Sequence, residues 1–152
     1  MKKPKNEPKS IVNRRAHYDY ALEDELIVGL VLTGAEAKAA RNGHVQLKGS
    51  YVTVNNNELW LINASFSVAS NERGGGRSVD SRSRKLLAHR KQINKLVEAK
   101  NSGLTIVPIK MLTAGRHIKI IIATGRGKKQ YDKREAIKKR DIEREARRAH
   151  AL

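Results

Sequence analysis

LTIVPIKMLTAGRHIKIIIA, residues Leu104 to Ala123, is the stretch whose pattern decides the fold. Two apolar runs, Leu104–Leu112 and His117–Ala123, flank Thr113-Ala114-Gly115-Arg116, a hairpin signal containing a glycine. In the second run Ile118, Ile120 and Ile122 alternate with His117, Lys119 and Ile121, so one face looks inward and the other is partly wet. The pattern recurs upstream. Tyr51–Val54 and Glu58–Ala64 flank Asn55-Asn56-Asn57, whose tolerance of left-handed backbone suits a tight turn. Leu26–Leu32 is a nearly unbroken apolar run, consistent with a buried strand, and a shorter strand is expected over Tyr18–Leu22. About six short strands in one open sheet would leave edges exposed, and closing them into a barrel removes those edges. The expected fold class is mainly β: a small closed barrel of about six strands with added helices. Trp60 and Phe66 are expected in its core.

Two helices are expected to interrupt the strands. Thr33-Gly34-Ala35-Glu36 fits a capping box and Asn42-Gly43 a helix stop, which predicts a short helix over Ala35–Arg41. A second is expected from Asp80 or Ser81 to Lys100, ended by Asn101-Ser102-Gly103. Its apolar positions Leu86, Ile93, Leu96 and Val97 share a face, opposite Arg84, Arg90, Lys91 and Lys95. Asn71–Val79, with Gly74, Gly75 and Gly76 between Arg73 and Arg77, is expected as a mobile loop. Gly127-Lys128 does not belong to a nucleotide P-loop, because Ile122 and Lys129 stand where that motif needs Gly and Ser or Thr.

Charge divides the chain. Lys and Arg number 32 against 15 Asp and Glu, a formal net charge of +17, which favours polyanionic partners. Residues 1–12 read as a flexible basic arm with Pro4 and Pro8, residues 13–125 as the folded RNA-binding domain, and residues 126–152 as a basic tail. From Lys133 to Arg148 the only apolar side chains are Ala136, Ile137, Ile142 and Ala146, too few to offset the entropy of ordering that segment alone. Glu135 precedes Lys139, and Glu143 precedes Arg147, by four residues, the favourable spacing for helical ion pairs. The tail therefore reads as disordered when free and helical when bound.

Other classes fit less well. No run approaches the ~18 apolar residues of a membrane helix. Met1–Lys9 is charged and proline-bearing, so no secretory signal is expected and the cytoplasm is the expected compartment. Cysteine is absent, which removes disulfides and thiolate metal sites. The five histidines (His17, His44, His89, His117, His150) show no paired ligand spacing, and no nucleophile elbow exists. No metal, cofactor or catalytic residue is expected, although scattered carboxylates such as Glu36, Glu72 and Asp80 leave a metal nuclease open as a third reading.

Several blocks are more specific. Asn13-Arg14-Arg15-Ala16-His17-Tyr18-Asp19-Tyr20 resembles the opening motif of the SsrA-binding protein (SmpB) family. The likeness continues through Gly29–Lys38, Leu47–Val52 and Arg82–Leu87, and closes with Gly127-Lys128-Lys129-Gln130-Tyr131-Asp132-Lys133-Arg134, the most specific block. The order matches the family's, from Asn13 nearly to the end of the chain. Ala37, where the family usually has a branched residue, and Ala39-Ala40, where Ser-Leu is common, depart from it and imply looser packing of that helix.

The resemblance implies a barrel related to the oligonucleotide-binding (OB) fold. It implies a monomeric adaptor, not an enzyme, that binds the tRNA-like domain of transfer-messenger RNA (SsrA). Such a protein delivers this RNA to stalled ribosomes for trans-translation, so that the nascent chain is tagged for degradation. The tail would sense the empty mRNA channel beside the decoding centre. Carried onto this sequence, the RNA-binding residues are His17, Tyr18, Glu36, Lys38, Arg41, Arg84, Lys85, Lys128 and Lys129. In the ribosome-binding tail they are Gly127 as hinge, Tyr131 as a base-stacking ring, and Asp132, Lys133, Arg134, Lys138, Lys139 and Arg140. Structural alternatives stand beside these roles. Glu36 can cap its helix, and Tyr18 and Tyr20, two apart on one strand, would share a face on which only one need meet RNA. The runner-up is another small basic translation factor or ribosomal protein that binds ribosomal RNA alone.

Overall fold

A computed structural model describes residues 10–69 and 76–150. Most of the amino-terminal arm, together with Glu72, Gly74, Gly75 and Leu152, lies outside the described residues, as do the side chains of Gln130, Tyr131 and Asp132. In chain order the first elements are β1 (Ile11–Val12), α1 (Arg14–Asp19), β2 (Tyr20–Leu30), α2 (Gly34–Arg41), β3 (Val45–Gln46), β4 (Tyr51–Asn55) and β5 (Glu58–Ile62). They are followed by β6 (Ser65–Ala69), β7 (Arg77–Asp80), β8 (Arg84–Leu87), α3 (Arg90–Asn101), β9 (Thr105–Leu112), β10 (Lys119–Gly127) and α4 (Gln130–His150).

The main sheet runs β1-β9-β10-β2-β8-β5-β4, and β4 returns to β9 through Val52 opposite Ile106. Six strands thus form a ring, with β1 appended to the outer half of β9 at Met111 and Lys110. Every pairing is antiparallel. A smaller sheet, β3-β6-β7, lies beside the ring. The alternation read in the sequence fills the interior: Ile118, just before β10, and Ile120 and Ile122 within it join Val28 and Leu30, Leu59 and Leu61, Leu86, Ile106 and Met111 in one core. Ile93 and Leu96 of α3, and Ala40 of α2, pack into the same core.

The turns behave as their residues dictate. Asn56 and Asn57 adopt φ of 50° and 60°, the left-handed pair that a two-residue hairpin requires. Gly115 does the same in the β9–β10 loop at φ 84°. Helix α2 carries the full capping box, with Thr33 and Glu36 bonding each other's backbone amides. Ala39 and Ala40 are fully buried, so the small residues of this helix seat it closely rather than loosely.

Four expectations are corrected. The loop expected over Asn71–Val79 gives way at Arg77, where β7 pairs with β6 through Ala69 opposite Arg77, Val68 opposite Ser78 and Ser67 opposite Val79. The two strands expected at Tyr18–Leu22 and Leu26–Leu32 are one long strand, β2, and Tyr18 belongs to α1. Asn13 anchors that helix: its amide donates to Ile109 O at 2.7 Å and its Nδ2 to Pro108 O at 2.9 Å. Tyr18 and Tyr20 therefore do not share a strand face. The second helix begins at Arg90, not near Ser81, because Arg84–Leu87 form β8 between β2 and β5. There Arg84 and Leu86 point inward while Lys85 and Leu87 point outward, a two-residue alternation that a single apolar residue could not reveal. Trp60 is half-buried on the outer face opposite Lys85 instead of in the core, whereas Phe66 is fully buried.

Inward and outward positions on β5 should differ in stability. Leu59→Ala should cost about 2–5 kcal/mol in urea unfolding, as for a fully buried leucine. Trp60→Ala, despite the larger side chain, should cost clearly less; the reverse order would contradict this strand orientation.

Candidate nucleic-acid interface

The sequence-derived binding residues separate into two groups, those consumed inside the protein and those left on its surface. Glu36 and Arg84 belong to the first. Arg84 is fully buried and Glu36 is 3% exposed. Arg84 Nε donates to Glu36 Oε2 and Arg82 Nη2 to Glu36 Oε1, while the Thr33 amide also donates to Oε1 at 3.0 Å. The remaining Arg84 donors reach Ala64 O at 3.1 Å, Arg82 O at 2.7 Å and Asp80 O at 3.2 Å, and the guanidinium stacks 3.9 Å from the Phe66 ring centre. Burial pushes the Glu36 carboxyl upward, but the Thr33 amide and the Arg84 and Arg82 guanidinium groups outweigh it and hold the group below its ordinary value. As RNA contacts both residues are corrected: Arg84 has no accessible atom and both Glu36 oxygens are taken. The same bonds leave Glu36 unsuited to a metal nuclease, and among the described residues no cluster of three His, Cys, Asp or Glu side chains could hold a metal.

Arg41 is exposed, yet its guanidinium is largely spent: Nη1 donates to Thr113 O at 3.2 Å and Gly115 O at 3.0 Å, and Nη2 to Arg116 O at 3.1 Å. Lys85 is half-buried and pairs with Glu58 at 3.0 Å. Lys38 and Lys129 are exposed, and among the described residues neither side chain has a bonding partner.

A second cluster forms where α4 folds back on α1. The Lys128 amide donates to Asp19 O at 2.8 Å, and Lys128 Nζ to His17 O at 3.1 Å. Lys133 reaches Asp19 at 3.3 Å, and Arg15 holds the other Asp19 oxygen at 3.1 Å. Over the Tyr18 ring stand Arg15 at 5.0 Å, Arg140 at 5.4 Å and Lys133 at 5.8 Å. A cleft of about 490 Å³ between the helices is lined by His17, Tyr18, Lys139 and Arg140 among others. Arg134 and Lys138 are exposed on α4. The expected Glu135–Lys139 and Glu143–Arg147 ion pairs do not form; the helix is tied to α1 instead. Each tie is worth ~1 kcal/mol or less, so the docking is weak. Gly127 ends β10, and a side chain there would meet open space.

Asp19, Arg15 and Arg82, which organise these clusters, were not singled out in the sequence. Arg15 and Asp19 stand four apart, a readable helical pair once α1 is known. Nothing local signals that Asp19 meets Lys133 or that Arg82 meets Glu36.

Comparison with known proteins agrees with this architecture. Residues 10–151 match the family model described as SmpB protein. The chain is 44% identical over 145 residues to an SsrA-binding protein of Enterococcus faecalis, covering 93% of each chain. It is 45% identical over 135 residues to that of Lysinibacillus sphaericus, covering 88% of this chain and 86% of the relative. Among solved structures, a chain from "tmRNA-SmpB: a journey to the center of the bacterial ribosome" superimposes with a TM-score of 0.64 at 34% identity, over 86% of this chain and 95% of that one.

Breaking the buried ion pair should be costly. Arg84→Ala should destabilise by about 3–5 kcal/mol, because it leaves a buried carboxylate uncompensated. Folding lowers the Glu36 pKa, so its stabilisation is present above the unfolded-chain value of about 4.3 and is lost as pH falls through the folded value. Urea unfolding of Glu36→Gln should accordingly lose less stability between neutral and acid pH than the parent; an unchanged pH profile would contradict the network.

Proposed function

The chain belongs to the SmpB protein family, and from that premise we propose that it is the RNA-binding adaptor of trans-translation. In this reading it binds the tRNA-like domain of transfer-messenger RNA and carries it to stalled ribosomes. The relatives it matches bear the name SsrA-binding protein, and the structure it resembles concerns tmRNA and SmpB on the bacterial ribosome. In this reading the adaptor has no catalytic step of its own, acts as a monomer and works in the cytoplasm.

The observation that carries the reading is the distribution of positive charge. Two acids that lie among the candidate contacts are already engaged, Glu36 inside the fold and Asp19 between α1 and α4, and the chain as a whole keeps a formal net charge of +17. Residues 13–125 would hold the tRNA-like domain through His17, Tyr18, Lys38 and Lys85, with Lys128 and Lys129 at the start of the tail adding to the same contact. Residues 126–152 would enter the mRNA channel through Lys133, Arg134, Lys138, Lys139 and Arg140, with Tyr131 stacking on a base and Asp132 beside it. That insertion requires α4 to leave α1, which weak surface ties permit. The helical stretch from Lys133 to Arg148, with only Ile137 and Ile142 as large apolar residues, fits a helix that gains its full stability from ribosomal RNA.

Binding of the purified protein to the tRNA-like domain at near-physiological salt, with ordinary tRNA as competitor, tests the first half. Tight binding that excess tRNA does not displace is expected, and equal displacement by any RNA would sink the assignment. Truncation after Lys129, which keeps β10 and both lysines, should leave this binding largely intact while abolishing tagging on stalled ribosomes. Replacing Lys138, Lys139 and Arg140 together should weaken ribosome binding most at low salt, with the deficit shrinking as salt rises by ~0.7–0.9 in slope per lost phosphate contact.

A further inference from the structure

We infer that the β9–β10 loop, residues 113–118, is an additional RNA-contacting prong, and that Arg41 is the positioning residue that holds it rather than a contact itself. This rests on the RNA-binding reading above. Arg41 directs three hydrogen bonds at one loop, to the carbonyls of Thr113, Gly115 and Arg116, at 3.2, 3.0 and 3.1 Å. A guanidinium has five N–H donors, so most of those a phosphate would use are already committed. The planar fork gathers carbonyls that the left-handed turn at Gly115 brings to one side of the loop.

What the clamp presents is basic. Arg116 and His117 are exposed on the loop and Lys119 follows at the start of β10. Among the described residues, none of the three side chains has a hydrogen-bond or ion-pair partner. Lys38, three residues before Arg41 and so on the same face of α2, is likewise exposed and, among the described residues, unpaired. No acidic residue occurs in the chain between Glu98 and Asp132. On α2 the single acid, Glu36, is buried against Arg82 and Arg84. The patch is therefore positive without internal compensation, held on a clamped loop, and its chemistry fits an RNA phosphate backbone.

The salt dependence of binding separates contact from positioning. Affinity for the tRNA-like domain of transfer-messenger RNA would be measured across a salt series for the parent, Arg116→Ser/His117→Ser, Arg41→Ala, Arg41→Lys, and the first two combined. Hydrogen exchange would follow the amides of residues 113–118. The loop variant should bind roughly tenfold more weakly at low salt, with a slope smaller by about one phosphate contact and unchanged thermal stability. Arg41→Ala should lose a similar factor and show faster exchange in the loop. Added to the loop variant it should lose nothing further, since the two act as one unit. Arg41→Lys, which keeps the charge but not the fork, should resemble Arg41→Ala. Parental binding by the loop variant, additive losses in the combination, or parental binding by Arg41→Lys despite fast loop exchange would each overturn the inference. Failure of the parent itself to bind would instead overturn the adaptor reading.

Discussion

The fully buried guanidinium of Arg84 is the constraint around which the rest is arranged. A charge with no solvent exposure is tolerable only if it is paired and its donors are satisfied. Here Glu36 supplies the counter-charge, three carbonyls take the remaining donors, and Phe66 offers its ring face. Those partners come from α2, from the connections before β6 and before β8, from the end of β7, and from β6 itself. The pair therefore fastens α2 to β8, to the corner before β6, and to the end of β7. It also explains why four residues of mixed polarity, Arg84–Leu87, lie in the middle of a closed ring: the strand is held there by its arginine as much as by Leu86. Such a pair adds little net stability over an apolar equivalent, but removing either member leaves the other stranded.

The same economy governs the surface. A protein with 32 basic residues can spend some on architecture and keep the rest for a polyanion. Arg84, Arg82, Arg41 and Arg15 are spent on internal carbonyls or carboxylates, and all four are arginines, whose planar fork suits several fixed acceptors at once. The unpaired surface cations described above include Lys38, Lys119, Lys129, Lys138 and Lys139, lysines that present a mobile point charge suited to phosphate. Asp19 stands between the two uses. It ties the tail to α1 through Lys128 and Lys133, with contacts weak enough to exchange for stronger ones on RNA.

Much of the ring was legible because its periodicity is local. Ile118, Ile120 and Ile122 announced an inward face, Asn56 and Asn57 a left-handed turn, and Thr33 with Glu36 a helix start; each signal spans only a few residues. The readings that failed share a different character. Lys85 and Leu87 looked helical because arginine, lysine and leucine are good helix formers, and sheet context overrode that propensity. Tyr18 looked like strand because it adjoins β2, but Asn13 bonded to β9 turns the chain into α1 first. Trp60 looked like core on size alone.

By itself, then, the sequence determined the closed β architecture, the α2 cap, the basic character of the chain and the kind of partner it meets, because period, turn chemistry and net charge are properties of neighbouring residues or of simple sums. Only the tertiary structure decided which cations remain available. Glu36 and Arg84 lie 48 positions apart, and Arg41 and Gly115 lie 74 apart. No local pattern records such pairings. They arise when the ring closes and low-dielectric burial forces each charge to find a counter-charge or a set of carbonyls.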